Sequence, residues 1–295
     1  MKPNKYQLEF AKKLLKYAEQ LAKEGDKHLL NMLKSIKMNE NSLLIEVGRI
    51  LLEYDILEEH MSLSPKQLKY EFDKLGNLIN NNFTDEIKDE IINTQDFLKY
   101  VGEGTWNNSS YLLSLGVDFN LKKIKSKELN SIINKTIKGK NYSDRIKINK
   151  NKIATILKKD IKDFLEGNIS VNDIQKKIKD LYRNDANATK VLVRNEIGRV
   201  QAEVNEVWAK EHNIEWQLFD ATLDGKTSSM CQGYDGKVYR VDDSSKPVPN
   251  VSTHICCRSC LIALPDKDYR PRTKIDNKTK EQIKYKTYEE WKASK

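Results

Sequence analysis

The sequence contains no apolar run that approaches the roughly 18 residues needed to span a membrane. Its N-terminus, MKPNKYQLEFAKKLLKYAEQ, lacks the apolar segment of a signal peptide. Both absences lead us to expect a protein made in the cytoplasm. Cysteine is scarce, at four residues. Because thiols stay reduced in the cytoplasm, these cysteines are not expected to form a disulfide framework.

Recognisable catalytic motifs are also missing. The sequence has no His-Glu-x-x-His, no phosphate-binding Walker loop, no Gly-x-Ser-x-Gly and no His-x-Glu of a zinc deaminase. We therefore predict that the protein is not an enzyme. One alternative stays open, a metal-dependent nuclease or toxin built on Asp224, Asp235 and His254, although aspartates of this kind more often serve turn geometry.

Charge, by contrast, is abundant. Of the 295 residues, 32% are charged and 38% hydrophobic, with a net charge of +9. This balance favours helices with much solvated surface. The positive charge is compatible with a polyanionic partner, but lysine greatly outnumbers arginine, which is the better residue for bidentate phosphate contacts. A generally lysine-rich surface explains the charge equally well.

Helical periodicity dominates the first two thirds of the chain. Apolar spacing of three and four predicts helices over 4–36 and 39–60, with Gly25-Asp26 interrupting the first. Ser64 before Pro65 predicts the start of a third helix, which Asn80–Asn82 should break before a fourth runs from Thr84 toward 100. Glycine and asparagine predict loops over 101–121.

A second group of helices is predicted over 152–212. Gly167 is placed to end one of them, and Ser170 with Asp173 resembles a capping box that opens the next. Asn184-Asp185 predicts a turn. Beyond it, Val193, Ile197, Val200, Val204 and Trp208 form one buried stripe that ends near His212.

The composition changes at Trp216. All four cysteines lie in the segment from this residue to Cys260. The same segment contains both Asp-Gly pairs of the chain, at 224–225 and 235–236, and the two prolines at 247 and 249. Alternation predicts a strand over 215–222, a second strand after Asp235-Gly236 and a short closing strand over 261–264. The fold class expected is mainly α, a helical N-terminal region followed by a small, compact, β-rich α+β module that contains the Cys and His residues.

A module this small often needs a cross-link, such as a bound metal ion, to be stable. One imidazole and three thiolates suit tetrahedral zinc, so the candidate structural site consists of Cys231, His254, Cys257 and Cys260. Cys231 has no Cys-x-x-Cys partner, and Cys256 offers a competing thiol. The alternative is that the buried thiols pack as small apolar groups.

An ordered set of residues in this region resembles the C-terminal signature of the phage Mu F-like minor head proteins, also called phage head morphogenesis proteins. It comprises Trp216, Asp224-Gly225-Lys226-Thr227, Cys231, Asp235-Gly236-Lys237, the proline pair, and His254-x-x-Cys257-Arg258. Upstream, 139–146 resembles a second segment of the family. Arg194-Asn195-Glu196 is similar to its Arg-Thr-Glu, with Asn in the Thr position. The family often has Cys-Arg-Cys where this chain has Cys257-Arg258-Ser259.

The resemblance implies a minor structural protein of the virion, located inside the capsid, associated with the portal, and involved in head assembly or DNA delivery without enzymatic activity. Its partners would be the portal protein, the capsid interior and packaged double-stranded DNA, with no membrane. The structural motif residues it implies are Arg194, Glu196, Trp216, Asp224, Thr227, Gly236 and Arg258. A zinc-supported nucleic-acid-binding protein without a virion role is the alternative.

The predicted domains are a helical region 1–136, a Mu F-like domain 137–265 whose β-rich module covers 213–265, and a basic tail 266–295. The tail interleaves aromatic with basic residues, which is typical of nucleic-acid contacts, and also of a solvated, flexible end. The flexible end is the favoured prediction. The nucleic-acid candidates are Arg270, Arg272, Lys274, Lys284 and Lys286.

Overall fold

The computed structural model describes residues 5–114 and 123–295, and of 5–23 and 111–114 it describes the backbone alone. The chain is 62% helical, which confirms the mainly α fold class with a small C-terminal module. The helices are α1 (Lys5–Glu53), α2 (Pro65–Ser114), α3 (Ser126–Ile133), α4 (Tyr142–Leu165), α5 (Val171–Glu211), α6 (Ser229–Tyr234) and α7 (Tyr288–Ala293). The strands are β1 (Ile56–Leu57), β2 (His60–Met61), β3 (Trp216–Asp220), β4 (Val238–Arg240), β5 (Cys260–Leu264), β6 (Thr273–Asp276) and β7 (Glu281–Lys284).

Helix α1 continues through the predicted interruption at Gly25 and the predicted junction at 37–38. At Gly25 an added Cβ would lie 2.9 Å from the ring of Phe97. The glycine therefore allows a close approach between two helices rather than ending one. That part of the prediction is wrong, because a glycine in a helix gives the same sequence signal whether it breaks the helix or packs against a neighbour.

Helix α2 begins where the sequence predicts. Ser64 and Gln67 form reciprocal capping contacts, with Gln67 N–H donating to Ser64 Oγ and Ser64 N–H to Gln67 Oε1. The predicted break at 80–84 does not occur, since Asn82 donates to Ser42 on α1 at 3.2 Å. The predicted loop over 101–121 is helical as far as Ser114, and its last residues, Gly116 included, lie outside the described part of the chain.

Helices α4 and α5 are joined by the turn that the sequence predicts. Gly167 adopts a left-handed φ of +77° after α4, and Asp173 N–H donates to Ser170 Oγ at the start of α5. The predicted turn at Asn184-Asp185 is wrong, because α5 runs unbroken to Glu211. Asp185 is fully buried there, and its charge has a partner on another helix.

The described residues form two compact units. The helical unit comprises residues 20–97 and 136–193, and the signature unit comprises 5–19, 98–114, 123–135 and 194–295. The predicted domain boundaries, at 136 and 265, stay a prediction. None of the described helices combines the length and apolarity that crossing a membrane requires.

The helical unit has an apolar core drawn from α1, α2, α4 and α5, and an ion cluster is buried within the same unit. Lys150 lies 2.8 Å from Glu86, 3.1 Å from Glu90 and 2.7 Å from Asp185, and all four side chains are at most 5% exposed. Burial alone would lower the pKa of Lys150, but the three carboxylates outweigh burial and raise it. Burial raises the pKa of Asp185 to about 7. One lysine thus links α2, α4 and α5.

The β-rich module lies in the signature unit. Strand β3 is central, with β4 and β5 antiparallel on either side in the order β4-β3-β5. The predicted strands at 215–222, after 236, and at 261–264 are therefore present. The short helix α6, which the sequence did not indicate, stands between β3 and β4, so this pair is not a tight hairpin.

Residues 266–295 are ordered, whereas the sequence favoured a flexible tail. Strands β6 and β7 form an antiparallel hairpin, and Asp276 makes a parallel bridge to Leu223 of the module. Tyr288 and Trp291 of α7 are each 5% exposed and pack with Leu223. Two of the aromatic residues that suggested nucleic-acid stacking are thus core residues of the module, and their burial helps to order this segment. Tyr269 is exposed.

Candidate functional site

Two cysteines and one histidine of the predicted zinc site meet in the module. Cys231, in the first turn of α6, places its Sγ 3.2 Å from Nε2 of His254 and 3.5 Å from Sγ of Cys257. All three ligand atoms lie within 4.8 Å of one another. Within the described part of the chain this is the one group of three or more His, Cys, Asp or Glu residues close enough to share a metal ion.

The loop that carries His254 and Cys257 is held in a reversed conformation. Cys256 has a left-handed φ of +56°, which lets residues three apart face the same point. Its N–H donates to Oδ1 of Asn195 on α5, and Asn250 Nδ2 donates to the carbonyl of Cys257. Asn195 occupies the Thr position of the family motif, so this motif residue supports the loop.

The hydrogen bond at Nδ1 decides which nitrogen of His254 can bind a metal. Nδ1 lies 3.0 Å from the carbonyl oxygen of Ile255. A carbonyl accepts only, so Nδ1 carries the proton and the lone pair of Nε2 points toward Cys231. A backbone carbonyl commonly orients metal-binding histidines in this way.

The geometry of the three donors fits zinc. A tetrahedral ion with Zn–S of about 2.3 Å and Zn–N of about 2.0 Å separates its ligand atoms by about 3.5–3.8 Å. The separations of Cys231 Sγ from the other two atoms, 3.2 and 3.5 Å, are within a few tenths of an ångström of that range. The ligand atoms of His254 and Cys257 lie within 4.8 Å of each other. The cluster could therefore hold a metal ion. Cys231 and Cys257 also pack in an apolar cluster with Phe219, Ala221 and Leu261, so the packing alternative accounts for their burial as well.

Cys260, the fourth predicted ligand, is not part of this group. It lies on β5 opposite Asp220, and it is exposed. Side chains alternate between the two faces of a strand. Ser259 and Leu261 are buried, so Cys260 faces the other way. The spacing His254-x-x-Cys257-x-x-Cys260 suggested one knuckle, but the strand begins at Cys260 and separates it from the other two.

Arg258 pairs with Asp224. Its guanidinium makes two parallel contacts to the carboxylate, with Nη2 2.9 Å from Oδ1. Hydrogen bonding to Arg258 lowers the pKa of Asp224 to about 2. Thr227 Oγ1 and the N–H of Lys226 also donate to this carboxylate. The Asp224–Thr227 part of the signature is therefore a turn tied to the Cys257 loop by an ion pair.

Asp235 joins the module to the C-terminal hairpin and α7. Its side chain is 1% exposed and accepts from the N–H groups of Ala221 and Tyr288, each at 2.6 Å. Lys274 lies 2.9 Å from the same carboxylate and 2.9 Å from Asp220. Gly236 follows with a φ of +77°, and an added Cβ would lie 3.0 Å from Thr287. Both residues of this turn are required for packing.

Trp216 and the Arg-Asn-Glu motif serve internal contacts. Arg240 lies 5.5 Å from the ring centroid of Trp216. Glu196 is buried and binds Arg199 at 2.7 Å, and Arg199 also donates to the carbonyls of Ile132 and Ile133. Arg194 is exposed. As expected for residues two apart on a helix, Arg194 and Glu196 have different surroundings.

The nucleic-acid candidates of the tail separate into two kinds. Lys274 is buried, 7% exposed, and its charge is taken by Asp220 and Asp235, so it is unavailable to a phosphate. Arg270, Arg272 and Lys284 are exposed, and Lys286 is half-buried. A lysine in a basic tail looks the same in sequence whether it is solvated or buried against a carboxylate.

Sequence reasoning missed Arg199 and Lys150, although a signal for each was present. Glu196, Arg199 and Glu203 follow the three- and four-residue spacing of helix ion pairs. Lys150 interrupts an otherwise apolar stripe on α4, between Ile146 and Ile153. A charge at a core position indicates a buried partner, but only the tertiary structure identifies it.

The fold and the site together define the class of protein: it is mainly helical, and its C-terminal module brings two cysteines and a histidine together. Within it, residues 137–262 match the family model described as "Phage Mu protein F like protein". The predicted resemblance is thereby confirmed for this segment, which is a Mu F-like region. No curated protein and no solved structure matches the chain.

Proposed function

We propose that the protein is a non-enzymatic minor head protein that associates with the portal inside the capsid and takes part in head assembly and DNA delivery. The observation that carries this proposal is the family match over 137–262, which includes every structural motif residue named above. The proposal includes the location in the virion, and it includes the portal and the capsid as partners.

The contacts of the motif residues support an architectural role. The Asp224 carboxylate binds Arg258, and the Asp235 carboxylate binds Lys274 and accepts from two backbone N–H groups. His254 faces Cys231. The three residues of the alternative nuclease constellation therefore have separate partners, and within the described residues they do not form a common metal group.

Co-purification with the portal protein tests the proposal. The tagged full-length chain, co-expressed with the portal protein of the same phage, is expected to retain it through washes at raised salt. Asp268→Ala changes an exposed residue, carries the same tag and serves as the control variant. The pull-down is done twice, once with each protein tagged. If neither tagged protein retains the other although both are folded, portal association is contradicted and the zinc-supported nucleic-acid-binding alternative is favoured.

We further propose that Cys231, His254 and Cys257 hold a structural zinc ion. The support is the separation of their ligand atoms and the orientation of His254 by Ile255. Zinc would link α6 to the loop before β5, and it would supply cross-linking rather than catalysis. Burial raises the pKa of the Cys231 thiol, a cost that a bound cation would offset.

Cys257→Ser is expected to abolish zinc binding, from one ion per chain to none, and to expose the module to proteolysis. Elemental analysis of the purified protein measures the first effect, and limited proteolysis the second. Cys260→Ser is the matched control and should keep its zinc, since Cys260 lies outside the group. One zinc per chain persisting in Cys257→Ser, or no zinc in the unsubstituted protein, would leave apolar packing as the explanation of the buried thiols.

A further inference from the structure

A concavity of about 720 Å³ opens beside the Asp224 turn, where the C-terminal hairpin and α7 meet the module. Its lining carries one carboxylate, Asp224, and six cationic side chains, which are Lys226, Arg258, Lys278, Lys280, Lys292 and Lys295. The positive charges come from four separate segments of the signature unit. The fold, not a run of basic sequence, brings them together.

Two of the six cations already have partners. Arg258 is bound by Asp224, and Lys295 lies 2.8 Å from Asp276. Lys226, Lys278, Lys280 and Lys292 are exposed and make no ion pair with any residue that the structure describes. Four positive charges around one concavity repel each other, and a bound polyanion would relieve that repulsion.

The β6–β7 turn presents two of these lysines in a defined way. Asp276, 2% exposed, accepts from the N–H of Lys278 at 2.9 Å, and its carbonyl accepts from the N–H of Lys280 at 2.7 Å. Lys280 adopts a left-handed φ of +67°. Trp291 Nε1 donates to the same carboxylate, so α7 and the turn are held together. Asp276 therefore fixes the backbone positions of Lys278 and Lys280, through its carboxylate and its carbonyl respectively.

The aromatic residues of the concavity identify the kind of partner. Tyr288 and Trp291 form part of its lining, but each is only 5% exposed, so neither offers a ring face for stacking an unpaired base. Protein interfaces usually centre on accessible aromatic or apolar anchors, and exposed lysine dominates here instead. Lysine ammonium groups are point charges that suit phosphate without requiring a fixed geometry.

We propose that this concavity binds the phosphodiester backbone of duplex DNA without sequence preference, through Lys226, Lys278, Lys280 and Lys292. On the proposed function above, on which this assignment of the nucleic acid rests, the ligand in the virion is the packaged DNA. The site shares no residue with the tail set predicted from the sequence, and none of that set lines the concavity.

The test measures binding of a fluorescently labelled DNA duplex to the full-length protein by anisotropy over a series of salt concentrations. Replacing the four lysines by glutamine is expected to reduce the magnitude of the slope of log K against log salt by roughly three to four, about 0.9 per lost phosphate contact. Between about 200 mM and about 50 mM salt, the unsubstituted protein should therefore gain on the order of 100-fold more affinity than the variant. Unchanged thermal unfolding confirms that the variant is folded.

Two variants make the result specific. The first variant makes the same change in net charge within the helical unit, by replacing four exposed lysines of α4 and α5 with glutamine: Lys147, Lys152, Lys159 and Lys179. A second variant tests the sequence-predicted tail set without the buried Lys274, by replacing the other four residues with glutamine: Arg270, Arg272, Lys284 and Lys286. Both variants should keep most of the salt slope. An equal loss in either variant, no loss in the concavity variant, or equally tight binding of polyglutamate would overturn the proposal. Because no portal is present, failure here is distinct from failure of the portal pull-down.

Discussion

Lys150→Met is expected to destabilise the helical unit by at least about 3–5 kcal/mol, enough to unfold it. The methionine fills a similar volume, but it leaves Glu86, Glu90 and Asp185 buried together without a cation. Removing one partner of a buried ion cluster is costly because the remaining charges keep their full desolvation penalty. Urea unfolding followed by far-UV circular dichroism measures the loss.

Two controls separate the charge cluster from a general effect on α4. Lys152→Met removes an exposed lysine of the same helix and should change stability by less than about 0.5 kcal/mol. Asp185→Asn should cost much less than Lys150→Met, since Glu86 and Glu90 still hold the lysine. If Lys150→Met unfolds at the same urea concentration as the unsubstituted protein, the buried ion cluster does not exist in solution.

Asp235→Ala is expected to release the C-terminal hairpin and α7 from the module, at a cost of about 3 kcal/mol or more. The substitution leaves Lys274 buried with one of its two carboxylates missing, and it leaves the N–H groups of Ala221 and Tyr288 without an acceptor. Limited proteolysis should then cut within 266–295, a segment expected to be protected in the unsubstituted protein.

The matched control is Asp268→Ala, the same chemical change at an exposed position in the same segment. It should leave the proteolysis pattern unchanged. Asp235→Asn should have an intermediate effect, because the amide oxygen can still accept a hydrogen bond but no longer balances Lys274. Equal protection of the segment in Asp235→Ala and Asp268→Ala would show that the hairpin and α7 are held by apolar packing alone.

Helix starts were predictable because their capping contacts are local. Ser64 with Gln67 and Ser170 with Asp173 satisfy backbone N–H groups within three residues, and the sequence shows both partners. Predicted breaks failed at Gly25, at 80–84 and at Asp185. At these positions a residue that is unfavourable in an isolated helix contacts another helix, as Gly25 does with Phe97 and Asp185 with Lys150.

All three residues of the candidate metal site could likewise be named in advance, because Cys and His at this spacing are rare and chemically distinctive. Excluding Cys260 required the register of β5, which places it opposite Asp220 and on the other face from Leu261. The spacing of cysteines in a sequence does not show where a loop ends and a strand begins.

By itself, the sequence determined the mainly helical class, the change of structure at Trp216 and the resemblance to the Mu F-like proteins, since each depends on periodicity or on residues close along the chain. The tertiary structure alone decided which charges are buried and which are free. Lys150, Arg199, Lys274, Tyr288 and Trp291 make internal contacts in the folded chain, whereas four lysines are left exposed around one concavity. The physical reason is that the energy of a charge depends on its partners and its solvation, which are properties of the folded chain.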